Sequence, residues 1–397
     1  MTRYTKHLNL WRYAAGNIQV YRGRTFAIIL FIGITIALLS SVNFLREGIN
    51  QDINSSLGLS PDILIQGYAS GRTIPINSSL TSLIENVDGV ELVIPRIWGY
   101  LSASDKLYLM MGLNFSIYPL DDPDLGFILS KGRMIDAQEN HSTCIIGSGV
   151  AEASRAQVGS WLLIEDINGN PKEFEVVGIF TLNSKIYTHD LILTDIESSR
   201  SFFQLPEGLV TDLTVWTTTP TPDSTIALQI DDLIDDVRIL DKETLGNLLY
   251  HSTNERAGYF VIIWSLVLLG MILFCFSISS AISLDSRREV GLLKTLGYSI
   301  TDILEIRFVE FALTGIWASL VGYSLAIFFT FYLGAPILAD FMLGWSALFT
   351  PFVVPFKITF ESLLVAFGLG TIPLLIATII PAWNNAIIEP DEILRGV

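Results

Sequence analysis

Four runs of apolar residues without a charge divide this chain. They are residues 25–45, 257–284, 311–339 and 362–388, and they contain 21, 28, 29 and 27 residues. A helix rises ~1.5 Å per residue, so about 20 apolar residues cross a ~30 Å hydrocarbon layer. Core helices of soluble proteins are seldom this long without a charge. The pattern therefore predicts four transmembrane helices.

The first run has a second interpretation, as part of a cleaved signal peptide. Its apolar stretch is longer than the segment of about 7–15 residues that such peptides carry, and no A-x-A-like cleavage site follows it. A span is therefore favoured. Lys and Arg beside spans face the cytoplasm, which places the N-terminus there and, after four crossings, the C-terminus as well. The basic residues before the first span are Arg3, Lys6, Arg12, Arg22 and Arg24.

The predicted fold class is an integral membrane α-helical protein of the cell (inner) membrane. One span precedes a large mixed α/β extracytoplasmic domain, and three spans follow it. The predicted boundaries are 1–24 for a cytoplasmic amphipathic helix, 25–45, 257–284, 308–334 and 361–381 for the spans, 46–256 for the extracytoplasmic domain, 285–307 for a cytoplasmic hairpin, 335–360 for an outer loop and 382–397 for a cytoplasmic tail.

Short apolar runs in the extracytoplasmic segment predict strands at 62–65, 143–146, 161–164 and 191–193. The third of these runs and residues 174–177 are predicted to form a hairpin. Its turn is expected at Asn168-Gly169, because Asn-Gly readily adopts the positive φ angles of a tight turn.

Two helices are predicted in the same segment. Thr194 and Glu197 have the spacing of a capping box, which predicts a helix toward Phe203. A second apolar-periodic stretch runs from residue 224 to residue 234. Paired aspartates at 231–232 and 235–236 recur at helical spacing there, so we expect an acidic outer helix face rather than a catalytic carboxylate pair.

Candidate catalytic and metal-binding residues in this segment do not form a recognised constellation. His141 and His189 lack metal-ligand spacing. Residues 121–124 (DDPD) lack the glycine and distal Glu of a calcium loop, so a solvated turn is favoured. Ser148 lacks the G-x-S-x-G context of a nucleophile. We therefore predict neither a catalytic site nor a metal site.

Charge is concentrated in one part of the chain. The whole chain has 24 Lys and Arg against 40 Asp and Glu, a net charge of -16. Residues 46–256 contain 13 basic and 30 acidic residues, a net charge of -17, so the rest of the chain is nearly neutral. This acidity argues against nucleic acid as a partner, because nucleic-acid binders carry a basic footprint.

Residues 284–297 predict an amphipathic helix that leaves the second span. Val290, Leu293 and Leu296 fall at helical spacing, with charges elsewhere. Gly297 can end this helix in the left-handed conformation. Residues 299–302 then have capping-box spacing and begin the next helix. The amphipathic face and the mixed charges of this hairpin suit docking to a protein partner. A loop at the membrane surface with snorkelling basic side chains is an equal alternative.

The same segment resembles a motif of a transporter family. Residues 287–297 (RREVGLLKTLG) look like the R-[RK]-E-[IV]-G-[IL]-L-[KR]-[AT]-[LI]-G signature of the MacB/FtsX/LolC-type ABC permeases. Residues 310–322 resemble the E-x(n)-G-x(n)-G third span of that family. Residues 380–395 resemble its closing tail, except that Asn385 stands where the family usually has Arg or Lys. The resemblance implies ATPase coupling by Arg287, Arg288, Glu289, Val290, Gly291, Leu293, Lys294 and Gly297, and packing of the spans by Glu310, Gly315 and Gly322.

Other parts of the chain carry the same resemblance. Residues 17–25 look like the N-terminal elbow helix of the family. Residues 131–135, 158–159 and 176–179 (KGRMI, VG and VVGI) resemble landmarks of its periplasmic core domain. The resemblance thus covers nearly the whole chain.

The resemblance implies a permease subunit that transmits ATP-driven movement to its extracytoplasmic domain, for export or extraction of a hydrophobic or peptide-like substrate. The chain has no G-x-x-x-x-G-K-[ST] motif, so no enzyme activity and no cofactor are expected in it. ATP and Mg²⁺ would bind to a separate soluble P-loop ATPase. The other expected partners are membrane lipid, a second permease copy in a homodimer or heterodimer, and an adaptor of the membrane-fusion type.

Three alternatives remain open at the level of sequence. The chain could be a non-transporting, FtsX-like signal transducer that activates an extracytoplasmic partner. Glu310 could serve structure, which we favour, or transport. The small-residue faces at 318–322 and 366–370 could pack within one subunit or across a dimer.

Overall fold

The computed structural model describes residues 3–103, 105–117, 127–136, 142–181, 189–218, 222–285, 287–343 and 355–387. Its helices are α1 (Arg3–Val20), α2 (Arg22–Leu59), α3 (Leu80–Ile84), α4 (Ser148–Ser154), α5 (Ile196–Phe203), α6 (Asp223–Asp231), α7 (Lys242–Asp285), α8 (Arg287–Thr295), α9 (Ile300–Ile327), a π-helix (Phe328–Tyr332), α10 (Leu338–Leu343) and α11 (Phe360–Ile387).

The strands are β1 (Ile63–Ala69), β2 (Arg72–Ile74), β3 (Ile76–Asn77), β4 (Val90–Ala103), β5 (Lys106–Leu113), β6 (Ile128–Gly132), β7 (Thr143–Gly147), β8 (Trp161–Glu165), β9 (Pro171–Thr181), β10 (Leu191–Asp195), β11 (Leu209–Val210), β12 (Asp212–Thr217) and β13 (Val237–Asp241). The chain divides into two units. We call residues 1–47, 256–339 and 356–397 the helical unit, and residues 48–255 and 340–355 the α/β unit.

Four helical segments in the described part of the chain are long and apolar enough to cross a membrane. They are Arg22–Gly58, Val261–Ile282, Ile300–Tyr332 and Phe360–Asn384. The four uncharged runs thus correspond to four candidate spans. Several predicted boundaries are not breaks in the structure. Helix α2 passes through residues 24–25 and 45–46, and α7 passes through residues 256–257. Helix α9 passes through residue 308 without interruption, and α11 continues past Pro381 to Ile387.

Glycines bring the helices of the helical unit into close contact. A Cβ on Gly322 of α9 would lie 2.6 Å from the carbonyl oxygen of Gly33 in α2. A Cβ on Gly315 would lie 2.9 Å from the carbonyl oxygen of Gly370 in α11. Only a missing side chain allows backbones to approach this closely. The small-residue faces at 318–322 and 366–370 therefore pack within this one chain.

An 11-stranded sheet forms the α/β unit, with the order β13-β1-β12-β4-β5-β10-β7-β9-β6, β2 beside β1 and β8 beside β9. Strand β4 belongs to two parts of this sheet. Its residues 90–96 pair with β12, and its residues 97–103 pair with β5. Val93 and Ile97 lie in one buried apolar cluster, and Leu101 lies in another.

A buried ion pair lies where β4 changes partner. The Arg96 guanidinium donates two hydrogen bonds of 2.9 Å to the carboxylate of Asp212, which is fully buried. The indole Nε1 of Trp98 donates a third bond of 2.7 Å to the same carboxylate. Full use of the carboxylate oxygens compensates the cost of removing this charge from water.

The predicted hairpin is confirmed, and its turn is longer than a two-residue turn. Strands β8 and β9 are antiparallel, with Trp161 opposite Glu175 and Glu165 opposite Pro171. Gly169 has a positive φ of 79°. A carboxylate oxygen of Asp166 accepts hydrogen bonds from the backbone N–H groups of residues 168 and 170, so this side chain organises the loop. These hydrogen bonds lower the pKa of Asp166.

Two predictions in the α/β unit are wrong in detail. Asp195, not Thr194, caps α5, because β10 continues to residue 195 and buries Thr194; the Asp195 carboxylate accepts from the backbone N–H of Glu197. The acidic helix face over 231–236 does not form. Helix α6 ends at Asp231, and Asp236 has a positive φ of 59° in the following loop.

The residues that resemble landmarks of a periplasmic core domain, at 131–135, 158–159 and 176–179, lie together at β9. Gly132 of β6 is paired with Gly178 of β9, and the backbone N–H of Arg133 donates to the carbonyl of Val177 at 3.0 Å. A Cβ on Gly178 would lie 2.6 Å from the Arg133 carbonyl oxygen. These glycines thus allow β6 to lie close against β9. Residues 121–124, His141 and the tail from residue 388 lie outside the described residues.

Replacing Asp212 by Ala should destabilise the α/β unit by about 3–5 kcal/mol, because it leaves the Arg96 charge buried without its partner. Thermal unfolding of the full chain in nanodiscs, followed by limited proteolysis, measures the effect. Glu197→Ala is the matched control. It removes a pair with Arg200 whose Glu197 side chain is 70% exposed, and such surface pairs contribute about 0–1 kcal/mol. Equal thermal-unfolding midpoints for Asp212→Ala and Glu197→Ala would contradict the prediction.

Candidate functional site

The segment that resembles the coupling motif forms a helix with a defined end. At the C-terminus of α8, Gly297 has a φ of 90° and its backbone N–H donates to the Lys294 carbonyl at 2.9 Å. The N–H of Tyr298 donates to the Leu293 carbonyl at 3.1 Å. Glycine at this position adopts the left-handed conformation without strain. The prediction that Gly297 ends this helix in the left-handed conformation is confirmed.

Helix α9 begins three residues later at the predicted capping box. The Ser299 hydroxyl accepts from the backbone N–H of Asp302 at 3.3 Å, and the Asp302 carboxylate accepts from the backbone N–H of Ser299 at 2.9 Å. Asp302 also forms a 2.8 Å ion pair with Lys6 of α1. The two caps make the connection between α8 and α9 short and well defined, and the ion pair ties it to α1.

Glu289 in the first turn of α8 connects this helix to two others. Its Oε1 accepts hydrogen bonds from the Tyr13 hydroxyl at 2.7 Å and from the Asn17 side-chain amide at 3.3 Å, both on α1. Its Oε2 accepts from Arg307 of α9 at 3.4 Å. Burial and the hydrogen bond to Glu289 raise the pKa of Tyr13 above its ordinary value, so its hydroxyl remains a donor.

Arg307 extends these contacts to a second carboxylate. Its Nη1 donates to Oε2 of Glu310 at 2.7 Å, and both side chains are buried. Oε1 of Glu310 accepts from Nη2 of Arg24 in α2 at 3.1 Å. The contacts form a continuous series that links α1, α8, α9 and α2. We call Tyr13, Asn17, Arg24, Glu289, Arg307 and Glu310 the Glu289 network.

Charge within the network is balanced. Arg24 and Arg307 face Glu289 and Glu310, and each carboxylate is within 3.4 Å of a guanidinium. Ionised groups away from water are stable only when they are paired and hydrogen-bonded. The four helix segments therefore stay together as long as these groups remain charged.

Helix α1 has further contacts with α9. Nδ1 of His7 lies 2.8 Å from Glu305, and Nε1 of Trp11 donates to the same carboxylate at 3.2 Å. Leu10 and Ala14 belong to one buried cluster, which also includes Leu293 of α8 and Ile306 and Val309 of α9. Polar and apolar contacts thus hold α1 along the beginning of α9.

Two residues of the predicted apolar face, Val290 and Leu293, lie against the chain itself. Val290 is buried in a cluster with Ile303 and Ala386, and Leu293 is buried as described above. The third residue of that face, Leu296, is 76% exposed, and so is Leu292 at 60%, which was not part of the predicted face. Periodicity identified Leu296 but not Leu292, and it could not show that Val290 and Leu293 are covered. We call Leu292 and Leu296 the leucine face.

The remaining residues of the predicted site lie in two places. Arg287 and Arg288 form the first turn of α8, Gly291 is buried in it, and Lys294 is half-buried. Glu310 joins Glu289 through Arg307, which supports a structural role for this carboxylate. Gly315 and Gly322 lie further along α9 and pack the spans, away from the network.

Four residues of the network were not identified from the sequence: Tyr13, Asn17, Arg24 and Arg307. Two local signals were present. Arg307 and Glu310 have the i, i+3 spacing of a helical ion pair, and Tyr13 and Asn17 have i, i+4 spacing on one face of α1. Across the described part of the chain, no group of three or more His, Cys, Asp or Glu side chains could hold a metal ion.

Comparison with known proteins adds to this geometry. Residues 25–235 match the model of the MacB-like periplasmic core domain, and residues 261–390 match the model of the FtsX-like permease C-terminal region. An uncharacterised ABC transporter permease of Methanocaldococcus jannaschii is 23% identical over 407 residues, which cover 95% of this chain and 96% of the relative.

Two solved structures are similar to part of the chain. The periplasmic region of MacB from Actinobacillus actinomycetemcomitans has a TM-score of 0.37 and 12% identity, and covers 50% of this chain and 98% of its own. The extracellular domain of the noncanonic ABC-type transporter YknZ from Gram-positive bacteria has a TM-score of 0.34 and 15% identity. This match covers 45% of this chain and 99% of the YknZ domain. TM-scores this low do not assign a family, whereas the two matched domain models do. The chain belongs to the MacB/FtsX family of ABC transporter permeases.

Proposed function

We propose that this chain is the membrane-spanning subunit of an ABC transporter and couples a separate ATPase to its α/β unit. Membership in a permease family suggests a transporter subunit rather than an enzyme. The observation that carries the proposal is the Glu289 network. A coupling helix needs a free surface for the ATPase and a firm connection to the spans. The α8 segment combines the leucine face with the partly buried ion pair and hydrogen bonds of Glu289.

The network supports movement of the helices as a group. Shifting α8 alone would separate Glu289 from Arg307 and from Tyr13. The separation would leave Arg307, whose side chain is 8% exposed, with only one of its two carboxylate partners. Val290 and Leu293 add buried apolar contacts to α9, α11 and α1. A force on the leucine face therefore shifts these helices together more easily than it shifts α8 by itself.

The proposal includes a topology and a set of partners. The α8–α9 hairpin and both termini face the cytoplasm, and the α/β unit is extracytoplasmic, between the first span and the other three. The basic residues before α2 support this orientation. The ATPase binds ATP and Mg²⁺, and a second permease copy and an adaptor of the membrane-fusion type complete the assembly. The substrate is hydrophobic or peptide-like.

A non-transporting signal transducer is the second candidate, because it would use the same coupling. The uncharged middle of each span favours transmission of movement over a path for polar solutes. In that case the α/β unit would activate an extracytoplasmic partner instead of handling cargo.

Glu289→Ala should uncouple the ATPase. We expect permease-stimulated ATP hydrolysis in nanodiscs to fall about tenfold, while the ATPase still binds. A tenfold effect lies within the about 5–150-fold effects that coupling between two sites typically has. Glu305→Ala is the matched control, because Glu305 is exposed to a similar degree and also contacts α1 through His7 and Trp11, while the contacts of Glu289 on α8 are left in place. Full stimulation in Glu289→Ala would contradict the role of the network.

The leucine face should be needed for binding the ATPase. Leu292→Arg with Leu296→Arg removes two apolar contacts that contribute about 1.5–3 kcal/mol each when buried. We expect recovery of a P-loop ATPase with the tagged permease in mild detergent to fall at least about tenfold. Leu8→Arg, an exposed leucine of α1, should leave recovery unchanged. If the double variant retains the ATPase, the leucine face is not its docking surface.

The topology can be tested with single cysteines in a chain that carries Cys275→Ala. Burial raises the pKa of Cys144 to about 12, so this thiol reacts slowly in the folded chain. A membrane-impermeant thiol reagent should label Asp231→Cys in intact cells and Thr295→Cys only after permeabilisation. Both positions are exposed. The reverse pattern would overturn the orientation.

A further inference from the structure

The outer face of the β8–β9 hairpin carries large apolar side chains in contact with solvent. Trp161 is 60% exposed and Leu163 is 61% exposed, while Leu162 and Ile164 point into the core. Ile167 at the turn is also exposed. Exposed apolar side chains that lie together, in contrast to scattered ones, typically mark a binding surface. Tryptophan is also enriched among residues that dominate interface energies.

Carboxylates surround these two side chains. Glu175 lies directly opposite Trp161, and Glu173 lies directly opposite Leu163. Opposed residues of an antiparallel pair point to the same face, so both carboxylates share the outer face with Glu165 of β8. Lys172 is opposite Ile164 and belongs to the other face. We call Trp161, Leu163, Glu165, Glu173 and Glu175 the β8–β9 outer face.

The three carboxylates of this face have no basic partner within the described residues. The ion pairs found there involve other acidic groups, such as Asp62, Glu197 and Asp212 in the α/β unit. The face thus combines two exposed apolar side chains with unneutralised negative charge. A surface of this kind favours a ligand that is both apolar and basic, because complementary charge steers association and selects the partner.

We propose that the β8–β9 outer face binds a segment of a separate extracytoplasmic protein in which apolar side chains alternate with Lys or Arg. A second copy of this chain fits poorly, because a symmetric contact would bring two identical acidic faces together. The proposal rests on the extracytoplasmic position of the α/β unit given under Proposed function, and it does not depend on coupling by the Glu289 network.

Peptide binding to the full chain tests the proposal. The chain is placed in nanodiscs of phosphatidylcholine, which carries no net charge, and fluorescence anisotropy follows a labelled peptide of alternating Lys and Leu, with empty nanodiscs as the blank. We expect binding that weakens as salt is added. Trp161→Ser with Leu163→Ser, and separately Glu173→Lys with Glu175→Lys, should each raise the dissociation constant at least about tenfold.

Matched variants and a second peptide make the result specific. Leu228→Ser and the pair Asp231→Lys with Asp232→Lys change equally exposed groups elsewhere in the α/β unit and should leave binding unchanged. A peptide of alternating Glu and Leu should bind Glu173→Lys with Glu175→Lys more tightly than it binds the unchanged chain. This charge reversal cannot be explained by misfolding of the variant.

Three outcomes would overturn the proposal. The first is no binding of the Lys-Leu peptide to the unchanged chain, and the second is equal binding to all variants. The third is a change of oligomeric state in Trp161→Ser with Leu163→Ser, measured by mass photometry, which would mean that the face joins two copies of this chain. None of these outcomes affects ATPase stimulation, which reports on the Glu289 network alone.

Discussion

The helical unit depends on the burial of Arg307 between two carboxylates. A guanidinium away from water is stable only with partners in place, and its partners, Glu289 and Glu310, lie on α8 and α9. Each carboxylate then recruits a donor from another helix, Tyr13 for one and Arg24 for the other. The need to compensate one buried charge therefore brings four helix segments together at the α8–α9 hairpin.

Close packing supplies the complementary constraint further along the spans. Lipid tails are as apolar as leucine, so the hydrophobic effect does little to join helices inside a membrane. Gly33, Gly322, Gly315 and Gly370 allow α2, α9 and α11 to approach through their backbones. The spans are thus held by polar pairs near the hairpin and by van der Waals contact beyond it. Both kinds of contact depend on geometry and tolerate little rearrangement.

Much of this architecture can be predicted from local patterns, and its failures have physical causes. Uncharged length identified the spans, and Asn-Gly identified the β8–β9 turn. A capping-box spacing could not choose between Thr194 and Asp195, because the extent of β10 decides it. Periodicity found the stripe containing Val290 but could not show what covers it. The Glu289 network joins side chains up to 286 positions apart, a distance over which no local pattern carries information.

Strand β4 joins two parts of the sheet in the α/β unit without a break. Its first half is bonded to β12 and its second half to β5. Val93 and Ile97 contribute to one apolar cluster, and Leu101 contributes to another. Arg96 and Trp98 are bonded to the same carboxylate of Asp212 at the point of exchange. The strand leaves no flexible linker between the two clusters. A bend between the two parts of the sheet would therefore have to break these hydrogen bonds, because one continuous strand, and not a loop, joins them.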